Sequence, residues 1–484
     1  MLFNSYEFLF IFLPLVLLGY HGLLATRFPG SSLYLLVGCS LFFYGWWNPQ
    51  YLLLILASIA VNYACYRGMI NSSKRRGKLL LLGGIVFNLV LLGYFKYAGF
   101  FAANISDLLG LDLPILGIVL PLAISFFTFQ QIAFLVDARN DLVTPVGLRE
   151  YMLFVLFFPQ LIAGPIVHHA EMMPQFTVRG VRDGLGSKLA CGITLFTLGM
   201  AKKVLIADSL APFVAQVYDA DSAIVFSSLD IWLASLAYTL QLYFDFSGYS
   251  DMAIGLALMF GISLPLNFNS PYKARSIIDF WRRWHMTLSR FLKDYLYIAL
   301  GGNRRGRVSR YRNLLLTMLL GGLWHGANWT FVVWGALHGT YLILNHFWRH
   351  LTGGRFDHLR LYRGAAWALT LLAVINAWVM FRANSWQQAW QFYRDMYLPA
   401  AADPAIVTVL DITALLPLLA AAALAALLLP NTQQWVGFAG GTLDRLPAIF
   451  RWRATPLWGA ALAFLLVACS LRMHSFSAFL YFQF

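Results

Sequence analysis

Long apolar runs constrain this chain more than any other feature of its sequence. Leu79–Leu92, Ala365–Met380 and Leu415–Leu429 are apolar almost throughout, and with their flanks each approaches the roughly 20 residues that a helix needs to cross a bilayer. Of the 484 residues, 60% are hydrophobic and 12% are charged, whereas about a quarter of a soluble domain is charged. Transmembrane β-strands alternate over ~10 residues, which these continuous runs do not. The sequence therefore predicts an all-α, polytopic membrane protein.

The apolar pattern also predicts the layout of the spans. Single crossings are expected at 6–26, 31–48, 50–67, 79–97, 115–137, 150–167, 187–207, 364–382, 406–429 and 455–473. The segment 228–262 is predicted to break into two crossings, so that the basic loop after it faces inside. A charged helix over 276–300 and a broken hairpin over 313–345 complete the layout. The sequence has no internal repeat, which predicts a single membrane domain over 1–484.

The net charge of +14 is concentrated in short loops between the spans. These loops carry Lys74, Arg75, Arg76 and Lys78; Arg304, Arg305, Arg307, Arg310 and Arg312; and Arg349, Arg355, Arg360 and Arg363. Such clusters are typical of cytoplasmic loops, so membrane topology, and not nucleic-acid binding, explains the charge. Counting spans from these loops places both termini, including Phe484, outside. Lys202 and Lys203 are expected to extend to the membrane interface.

The cysteines predict neither a disulfide framework nor a metal site. Cys39, Cys65, Cys191 and Cys469 all lie in apolar stretches and form no CxxC pair, as expected of small buried side chains. Met1–Glu7 has no basic region typical of a signal peptide. The first apolar segment is therefore interpreted as the first span.

Two carboxylates interrupt the apolar stretch LYFDFSGYSDMA. Ionisable side chains at membrane depth are costly and usually face a partner or a cavity. Asp245 and Asp251 therefore have two open interpretations. They are either structural, with basic or backbone N–H partners, or they line a polar cavity and orient catalytic groups.

The segment Asp279–Tyr297 has the periodicity of an amphipathic helix at ~100° per residue. Its polar face includes Asp279, which can pair with Arg282 and Arg283 at i+3 and i+4. The segment is too charged to span and is expected at the cytoplasmic surface or in a funnel. His285 lies at the edge of the apolar face, where a histidine alone is more often structural.

The hairpin sequence over 313–346 places a histidine at a break in the membrane. It lies between two basic loops, so the chain must enter and return, with the turn near Gly321–Asn328. His325 is then ~20 Å from Arg312 at 1.5 Å per residue, near the bilayer centre. Irregular backbone at that depth is tolerated where protein or water satisfies it, which favours a catalytic histidine. His338, within the returning helix, is interpreted as structural, and His168 and His169 as interfacial.

These motifs together resemble one enzyme family. FWRRWHMTLSRFLKDYLYIALGGNRRG followed by GGLWHGANWTFVVWGALHG is similar to the signature of the membrane-bound O-acyltransferase family, in its bacterial alginate O-acetyltransferase-like branch. The likeness continues in LFNSYEFLFIFLPL, GYFKYAGF, LIAGPI, KKVLIAD, LYFDFSGYSDMAIGLALM and FSAFLYFQF. It covers nearly the whole chain, with core motifs at 240–345, and fails only at Tyr397–Thr455.

The resemblance implies a fold and a chemistry. The expected fold is a ring of transmembrane helices with a re-entrant and amphipathic region around a central catalytic tunnel. His325 of the WHG motif would be the catalytic base, and His285 or Asn328 would stabilise the oxyanion or position the donor. The remaining candidates for donor or substrate binding are Trp324, Arg282, Arg283, Asp245, Asp251, Arg304 and Arg305.

The resemblance also implies partners and a location. Acetyl-CoA would enter from the cytoplasm as donor substrate, with no permanently bound cofactor and no metal. A periplasmic acetyltransferase partner would complete modification of an alginate- or cellulose-type exopolysaccharide, and the location would be the bacterial inner membrane. Whether the immediate acceptor is protein or glycan is left open. The alternatives are another acyl group or acceptor, as in teichoic acid D-alanylation or lipid acylation, and an acetyl transporter without chemistry, although transporters commonly show the inverted repeats that this sequence lacks.

Overall fold

A computed structural model gives the architecture of most of the chain. It describes residues 1–70, 72–111, 117–177, 184–221, 224–398, 406–407, 409–437, 446–447, 451–473 and 479–480. Phe484, used above to state where the C-terminus lies, is outside the described residues, as is most of the closing motif FSAFLYFQF.

The described residues are predominantly helical. The first ten helices are α1 (Leu13–Ala25), α2 (Ser31–Gly45), α3 (Gln50–Met69), α4 (Lys74–Leu92), α5 (Ala98–Leu109), α6 (Ile124–Arg139), α7 (Leu148–Leu156), α8 (Phe158–Leu161), α9 (His169–Met172) and α10 (Leu185–Ala201). They are followed by α11 (Asp208–Tyr218), α12 (Ser228–Met259), α13 (Ile277–Trp281), α14 (Met286–Phe291), α15 (Gly306–His325), α16 (Trp329–Thr352), α17 (Arg360–Arg382), α18 (Trp386–Tyr397), α19 (Ile412–Leu428), α20 (Thr432–Val436) and α21 (Pro456–Arg472).

Shorter elements join these helices. Four π-helical segments lie at Phe8–Phe12, Gly93–Tyr97, Lys202–Ala207 and Leu292–Tyr297, and two 3₁₀ turns at Met173–Gln175 and Pro271–Lys273. Strands β1 (Val225–Phe226) and β2 (Ile406–Val407) form a two-residue parallel pair. This pairing is too short to alter the predicted fold class.

Five of the described helices are long and apolar enough to cross a membrane by length and composition. They are Phe8–Ala25, Gln50–Met69, Lys74–Leu109, Leu185–Tyr218 and Arg360–Arg382. Three shorter apolar helices correspond to the spans predicted at 31–48, 406–429 and 455–473. The all-α, polytopic fold class is therefore confirmed.

The chain divides into two compact units. The first comprises Met1–Met200, Tyr249–Leu266 and Val436–His474, and the second Ala201–Gly248, Asn267–Trp435 and Ser475–Phe484. In the first unit, the rings of Phe8, Phe12, Phe43 and Phe158 pack together with centroids 5.4–6.2 Å apart. Both histidines singled out by the sequence, and all but one of the other candidate residues, belong to the second unit.

The predicted break within 228–262 is wrong. The segment forms one continuous helix, α12, of 32 residues. It contains no proline, and hydroxyl groups inside it bond to backbone carbonyls one turn earlier, as Ser235 does to Ile231 and Thr239 to Ser235. Polar residues whose side chains have partners do not interrupt a helix. The break was predicted only from the count of crossings needed to place the following basic loop inside, and no residue within α12 ends the helix.

The single crossing predicted at 150–167 is also wrong. The helix α7 has nine residues and ends at Leu156, and α8 begins at Phe158 after a non-helical Phe157. Pro159 is responsible, because proline has no N–H for the carbonyl four residues earlier and its ring clashes with that carbonyl. A nine-residue helix is only ~14 Å long, which is too short to cross a bilayer.

The broken hairpin predicted at 313–345 is confirmed, with longer arms. Helix α15 ends at His325 and α16 begins at Trp329. The two helices pack backbone to backbone through glycines. A Cβ on Gly322 would overlap the carbonyl oxygen of Phe331, and a Cβ on Gly335 would overlap the carbonyl oxygen of Met318. Small residues permit such close approach between membrane helices, so these glycines fix the position of His325 relative to α16.

This packing predicts the effect of one added methyl group. We expect Gly322→Ala to destabilise the protein by about 1–3 kcal/mol, the usual cost of overpacking, because α15 must move away from a backbone oxygen. Thermal unfolding in detergent would measure the loss. The matched control is Gly83→Ala in α4, where no atom lies within 4 Å of the new methyl. Equal melting temperatures for the two variants would show that the α15–α16 approach is not tight.

Candidate active site

The segment that carries His285 is not the continuous helix predicted for Asp279–Tyr297. Helix α13 ends at Trp281 and α14 begins at Met286, and His285 between them has a left-handed backbone with φ 41° and ψ 55°. Non-glycine residues in this conformation are uncommon and are often found where a surrounding structure imposes them at a functional site. The apolar periodicity was misleading here because the buried apolar side chains come from two short helices separated by the left-handed His285.

Asn267 fixes the orientation of the His285 ring. The Oδ1 atom of Asn267 lies 3.1 Å from His285 Nδ1 and also accepts a hydrogen bond from Thr287 Oγ1 at 2.9 Å. A carbonyl oxygen only accepts, so Nδ1 carries the hydrogen and Nε2 the lone pair. Phe246 packs edge-on against the ring at 4.8 Å. His285 is fully buried, and this burial lowers its pKa to about 3, so the imidazole is neutral at physiological pH.

Arg283 holds the loop that supplies Asn267. Its Nε atom pairs with Asp279 Oδ1 at 2.8 Å, as the i+4 spacing predicts, and its guanidinium donates to the carbonyl oxygen of Asn269. The backbone N–H of Asn269 in turn donates to the carbonyl of Arg283. Arg283, predicted to bind donor or substrate, is thus placed to support the loop that orients His285. Its predicted binding role stays a prediction.

His325 ends α15 inside an aromatic enclosure. It is buried, and its ring centroid lies 5.0 Å from Trp324, 5.0 Å from Trp334 and 5.3 Å from Phe381. Trp324 also lies 6.5 Å from His285. One indole therefore contacts both histidines, so the structure brings the two candidate catalytic residues into one site.

Asn328 joins the hairpin turn to the end of α17. Its Oδ1 accepts the N–H of Thr330 and caps α16, while its Nδ2 donates to the carbonyl of Asn384 at 3.3 Å. Asn384 is held by a hydrogen bond to the carbonyl of Tyr218, and Arg382 forms an ion pair with Asp219 at 2.7 Å. This polar network fixes the turn that follows His325. With its side chain used in these bonds, Asn328 is placed as a structural cap.

Asp245 has a buried cationic partner. The Nζ atom of Lys203 lies 2.6 Å from Asp245 and 2.7 Å from Asp208, and the N–H of Leu480 donates to Asp245 at 3.0 Å. Lys203 is only 3% exposed. The prediction that Lys203 extends to the interface is therefore wrong, because two carboxylates neutralise it inside the protein. Asp245 fits the structural interpretation left open by the sequence. Asp251 is buried in the first unit, and its role stays a prediction.

The basic residues near the site fall into two groups. Arg304 and Arg305 are exposed in the turn before α15. Arg310 instead lies with a guanidinium nitrogen 2.9 Å from His346 Nδ1. The charges of Arg349 and Arg282, which are both exposed, also act on this ring. We call Arg282, Arg310, Arg349 and His346 the basic cluster. It is a concentration of positive charge able to hold an anion.

One further cluster has metal-ligand chemistry. Asp137, His168 and His169 have ligand atoms within 4.8 Å of one another. However, Nδ1 of His168 accepts the N–H of Ala170, which leaves the hydrogen on Nε2, 2.7 Å from Asp137. Hydrogen bonding thus accounts for the His168–Asp137 contact. Both histidines, predicted at the interface, are packed against this carboxylate.

Sequence reasoning assigned no functional role to three residues that lie in or near the candidate site. Asn267 lies 18 residues before His285 in an irregular segment, and no periodicity indicates its role. His346 was passed over at the end of an apolar helix. His338 was interpreted as structural, yet its ring lies 4.8 Å from Trp334, the same indole that contacts His325. The site was located in the sequence by the WHG motif at the glycine-flanked break, which contains His325.

Comparison with known proteins gives the family. Residues 118–385 match the model of MBOAT, the membrane-bound O-acyltransferase family, and this range includes both histidines, Trp324 and Asn328. The chain is 46% identical over 427 residues to a peptidoglycan O-acetyltransferase of Helicobacter pylori, covering 82% of this chain and 80% of the relative.

Two further relatives, one at 44% and one at 29% identity, are also named as acyl-transferring enzymes. A probable alginate O-acetylase AlgI of Pseudomonas aeruginosa is 44% identical over 404 residues, covering 82% of this chain and 75% of the relative. A teichoic acid D-alanyltransferase of Streptococcus thermophilus is 29% identical over 239 residues, covering 47% of this chain and 57% of the relative. The chain therefore belongs to the membrane-bound O-acyltransferase family and is an O-acyltransferase.

Proposed function

We propose that this enzyme transfers acetyl from cytoplasmic acetyl-CoA across the bacterial inner membrane for O-acetylation of an exopolysaccharide, through a periplasmic partner protein. The observation that carries the proposal is the contact of Trp324 with both His285 and His325 in one buried aromatic site. The names of the relatives support an acetyl group and a glycan acceptor: peptidoglycan in one, alginate in another. An alginate- or cellulose-type polymer is the acceptor class proposed here.

In the proposed reaction His325 is the general base. It takes the proton from the acceptor hydroxyl as that oxygen attacks the thioester carbonyl. The C–S bond then breaks, and the CoA sulfur leaves with the proton returned by the imidazolium. The aromatic enclosure of Trp324, Trp334 and Phe381 keeps water away from the thioester, which favours transfer over hydrolysis.

The tautomer of His285 favours one of its two predicted roles. With the hydrogen of Nδ1 directed to Asn267, Nε2 can accept a hydrogen bond but cannot donate one to an oxyanion while the ring is neutral. His285 is therefore proposed to position a reactant by accepting its hydrogen bond. Asn267 and Thr287 keep this tautomer in place, as second partners of catalytic histidines commonly do.

Residue counts along two helices give the distance of His325 from the cytoplasmic side. Along α15 it is 13 residues from Arg312, or about 20 Å. Its neighbour Phe381 in α17 is 18 residues from Arg363, or about 27 Å. Both lengths exceed half of the ~30 Å hydrocarbon thickness. We propose that His325 lies beyond the bilayer centre, where an external acceptor can reach it.

The donor is proposed to enter beside the basic cluster. Guanidinium groups suit the phosphates of coenzyme A, and Arg310 and Arg349 converge near the end of α16. Arg304 and Arg305 are exposed in the adjacent turn, and there they would attract the donor from solution rather than hold it.

The first prediction from the proposed function distinguishes the roles of His325 and His285. We expect His325→Ala to remain folded and to lose acetyl transfer by about 10²–10⁴-fold, the usual contribution of general base catalysis. His285→Asn is the informative partner variant, because asparagine tolerates a left-handed backbone and keeps a donor for Asn267 while removing Nε2. It should match the wild-type unfolding temperature but turn over much more slowly than wild type.

Purified variants assayed for acetyl transfer beside thermal unfolding would check this prediction. A well-folded His325→Ala protein with near wild-type activity would overturn the mechanism. Wild-type turnover by His285→Asn would restrict His285 to a structural role.

The second prediction concerns the donor. Neutralising Arg310 and Arg349 to Gln should raise KM for acetyl-CoA several-fold with little change in kcat, because these are binding contacts. The matched pair is Arg304→Gln with Arg305→Gln. Its effect should be smaller, because both of its residues are exposed and screened by salt, whereas Arg310 is part-buried and contacts His346. Steady-state kinetics at low ionic strength would measure both, and a larger effect from the exposed pair would remove the basic cluster from the donor site.

The third prediction is topological. We propose cytoplasmic placement for Lys74–Lys78, Arg304–Arg312 and Arg349–Arg363, and external termini. In a background lacking the four native cysteines, an impermeant maleimide should label Gln387→Cys on α18 in intact cells. It should label Arg307→Cys only after permeabilisation. Labelling of Arg307→Cys from outside would reverse the proposed direction of transfer.

A further inference from the structure

His338 occupies an aromatic cage one layer beyond the proposed base. Its side chain is fully buried in α16. The rings of five aromatic residues surround it at centroid distances of 4.8–6.1 Å: Phe280, Trp281, Trp334, Tyr341 and Trp378. A phenylalanine would suit such surroundings, so the imidazole nitrogens require an explanation.

The hydrogen bond from Trp281 fixes the tautomer of this ring. The Nε1–H of Trp281 donates to His338 Nδ1 at 3.2 Å. An indole N–H is only a donor, so Nδ1 must hold the lone pair, the ring is neutral and Nε2 carries the hydrogen. This Nε2–H is buried and forms no hydrogen bond with any part of the chain that the structure describes. Leaving such a donor unpaired in the protein interior is unfavourable.

His338 lies between the basic cluster and His325 along α16. The indole of Trp334 lies 4.8 Å from His338 and 5.0 Å from His325. In the other direction along α16, His346 of the basic cluster is eight residues away, or about 12 Å. Along α16, His338 therefore lies between the proposed phosphate site and the proposed base, and a donor arm that connects the two would pass beside this helix.

We propose that His338 Nε2–H donates a hydrogen bond to a carbonyl oxygen of the acyl donor's thioester arm and so holds the donor on the cytoplasmic side of His325. The proposal rests on the proposed function, since it assumes an acyl thioester as donor. It assigns Trp281 the role of keeping the hydrogen on Nε2.

Two amide substitutions test the roles of the two His338 nitrogens separately. In His338→Gln the side-chain amide reaches the place of Nε2 and can donate there. In His338→Asn the shorter amide can accept from Trp281 at the place of Nδ1 but supplies no distal donor. Loss of one neutral hydrogen bond of about 0.5–1.5 kcal/mol should raise KM for acetyl-CoA about twofold to twelvefold in His338→Asn, with a smaller change in kcat. His338→Gln should stay nearer to wild type.

Controls distinguish this role from a packing role. Trp281→Phe removes the indole donor that selects this tautomer, but Nε2 is still present and can still carry the hydrogen. Its KM should therefore rise by only part of the change seen in His338→Asn. Acetylpantetheine lacks the nucleotide but keeps the arm, so the same ratio of KM values between His338→Asn and wild type is expected with it. Thermal unfolding of each variant establishes folding.

The proposal is overturned if His338→Asn has a wild-type KM, if Trp281→Phe raises KM as much as His338→Asn does, or if the effect disappears with acetylpantetheine. If His338→Asn does not fold, a His338→Gln protein with KM raised tenfold or more overturns it as well. Failure of wild-type enzyme to transfer acetyl from acetyl-CoA at all would instead refute the proposed function, which keeps the two failures distinct.

Discussion

The site depends on how closely the backbones of α15 and α16 approach each other. At Gly322 and Gly335 the absence of a side chain lets the backbone approach a carbonyl oxygen of the other helix. The helices cannot slide or separate without losing this close backbone contact. His325 is the last residue of one helix, and Trp334 and His338 project from the other. Every distance between these rings therefore depends on that glycine contact. A catalytic group placed at a helix end gains precision from its packed neighbour, in the way that sites built on rigid elements generally do.

Buried polar groups in this protein mostly come with assigned partners. Asp245 has Lys203, which also pairs with Asp208, and His285 has Asn267. Removing one member of such a set leaves an uncompensated group and is strongly destabilising. The same principle gives His338 its interest, because one of its nitrogens is satisfied by Trp281 and the other has no acceptor in the described chain. Among the described residues of this site, Trp334 and Trp378 also have buried N–H groups without a partner. His338 is distinguished from these indoles because Trp281 fixes which of its nitrogens carries the hydrogen.

The sequence was sufficient for the fold class and for the hairpin that ends at His325, because both rest on long apolar runs and on a glycine-flanked break. It was insufficient where local patterns compete with tertiary contacts. The periodicity of Asp279–Tyr297 indicated one helix, but the left-handed His285 divides it, and backbone strain of this kind has no signal in hydropathy. Lys203 looked like an interfacial lysine because its partners, five and 42 residues away, come together only in the fold. The role of Asn267 could not be predicted for the same reason, because its partner His285 is 18 residues away and meets it only in the fold.

The two errors in the predicted spans compensate for each other. Helix α12 is one crossing where two were expected, and α7 with α8 is too short to be the full crossing expected at 150–167. Each error alone would move the Arg304–Arg312 loop to the outer side, against the positive-inside rule. Together they restore the predicted cytoplasmic placement of this loop, and the same count predicts that Arg139 and Arg149 lie on that side as well. The basic residues therefore favour the same orientation under the corrected helix count. In that orientation α16 runs from the site back to the basic cluster, which agrees with the proposal that donor and acceptor approach His325 from opposite sides.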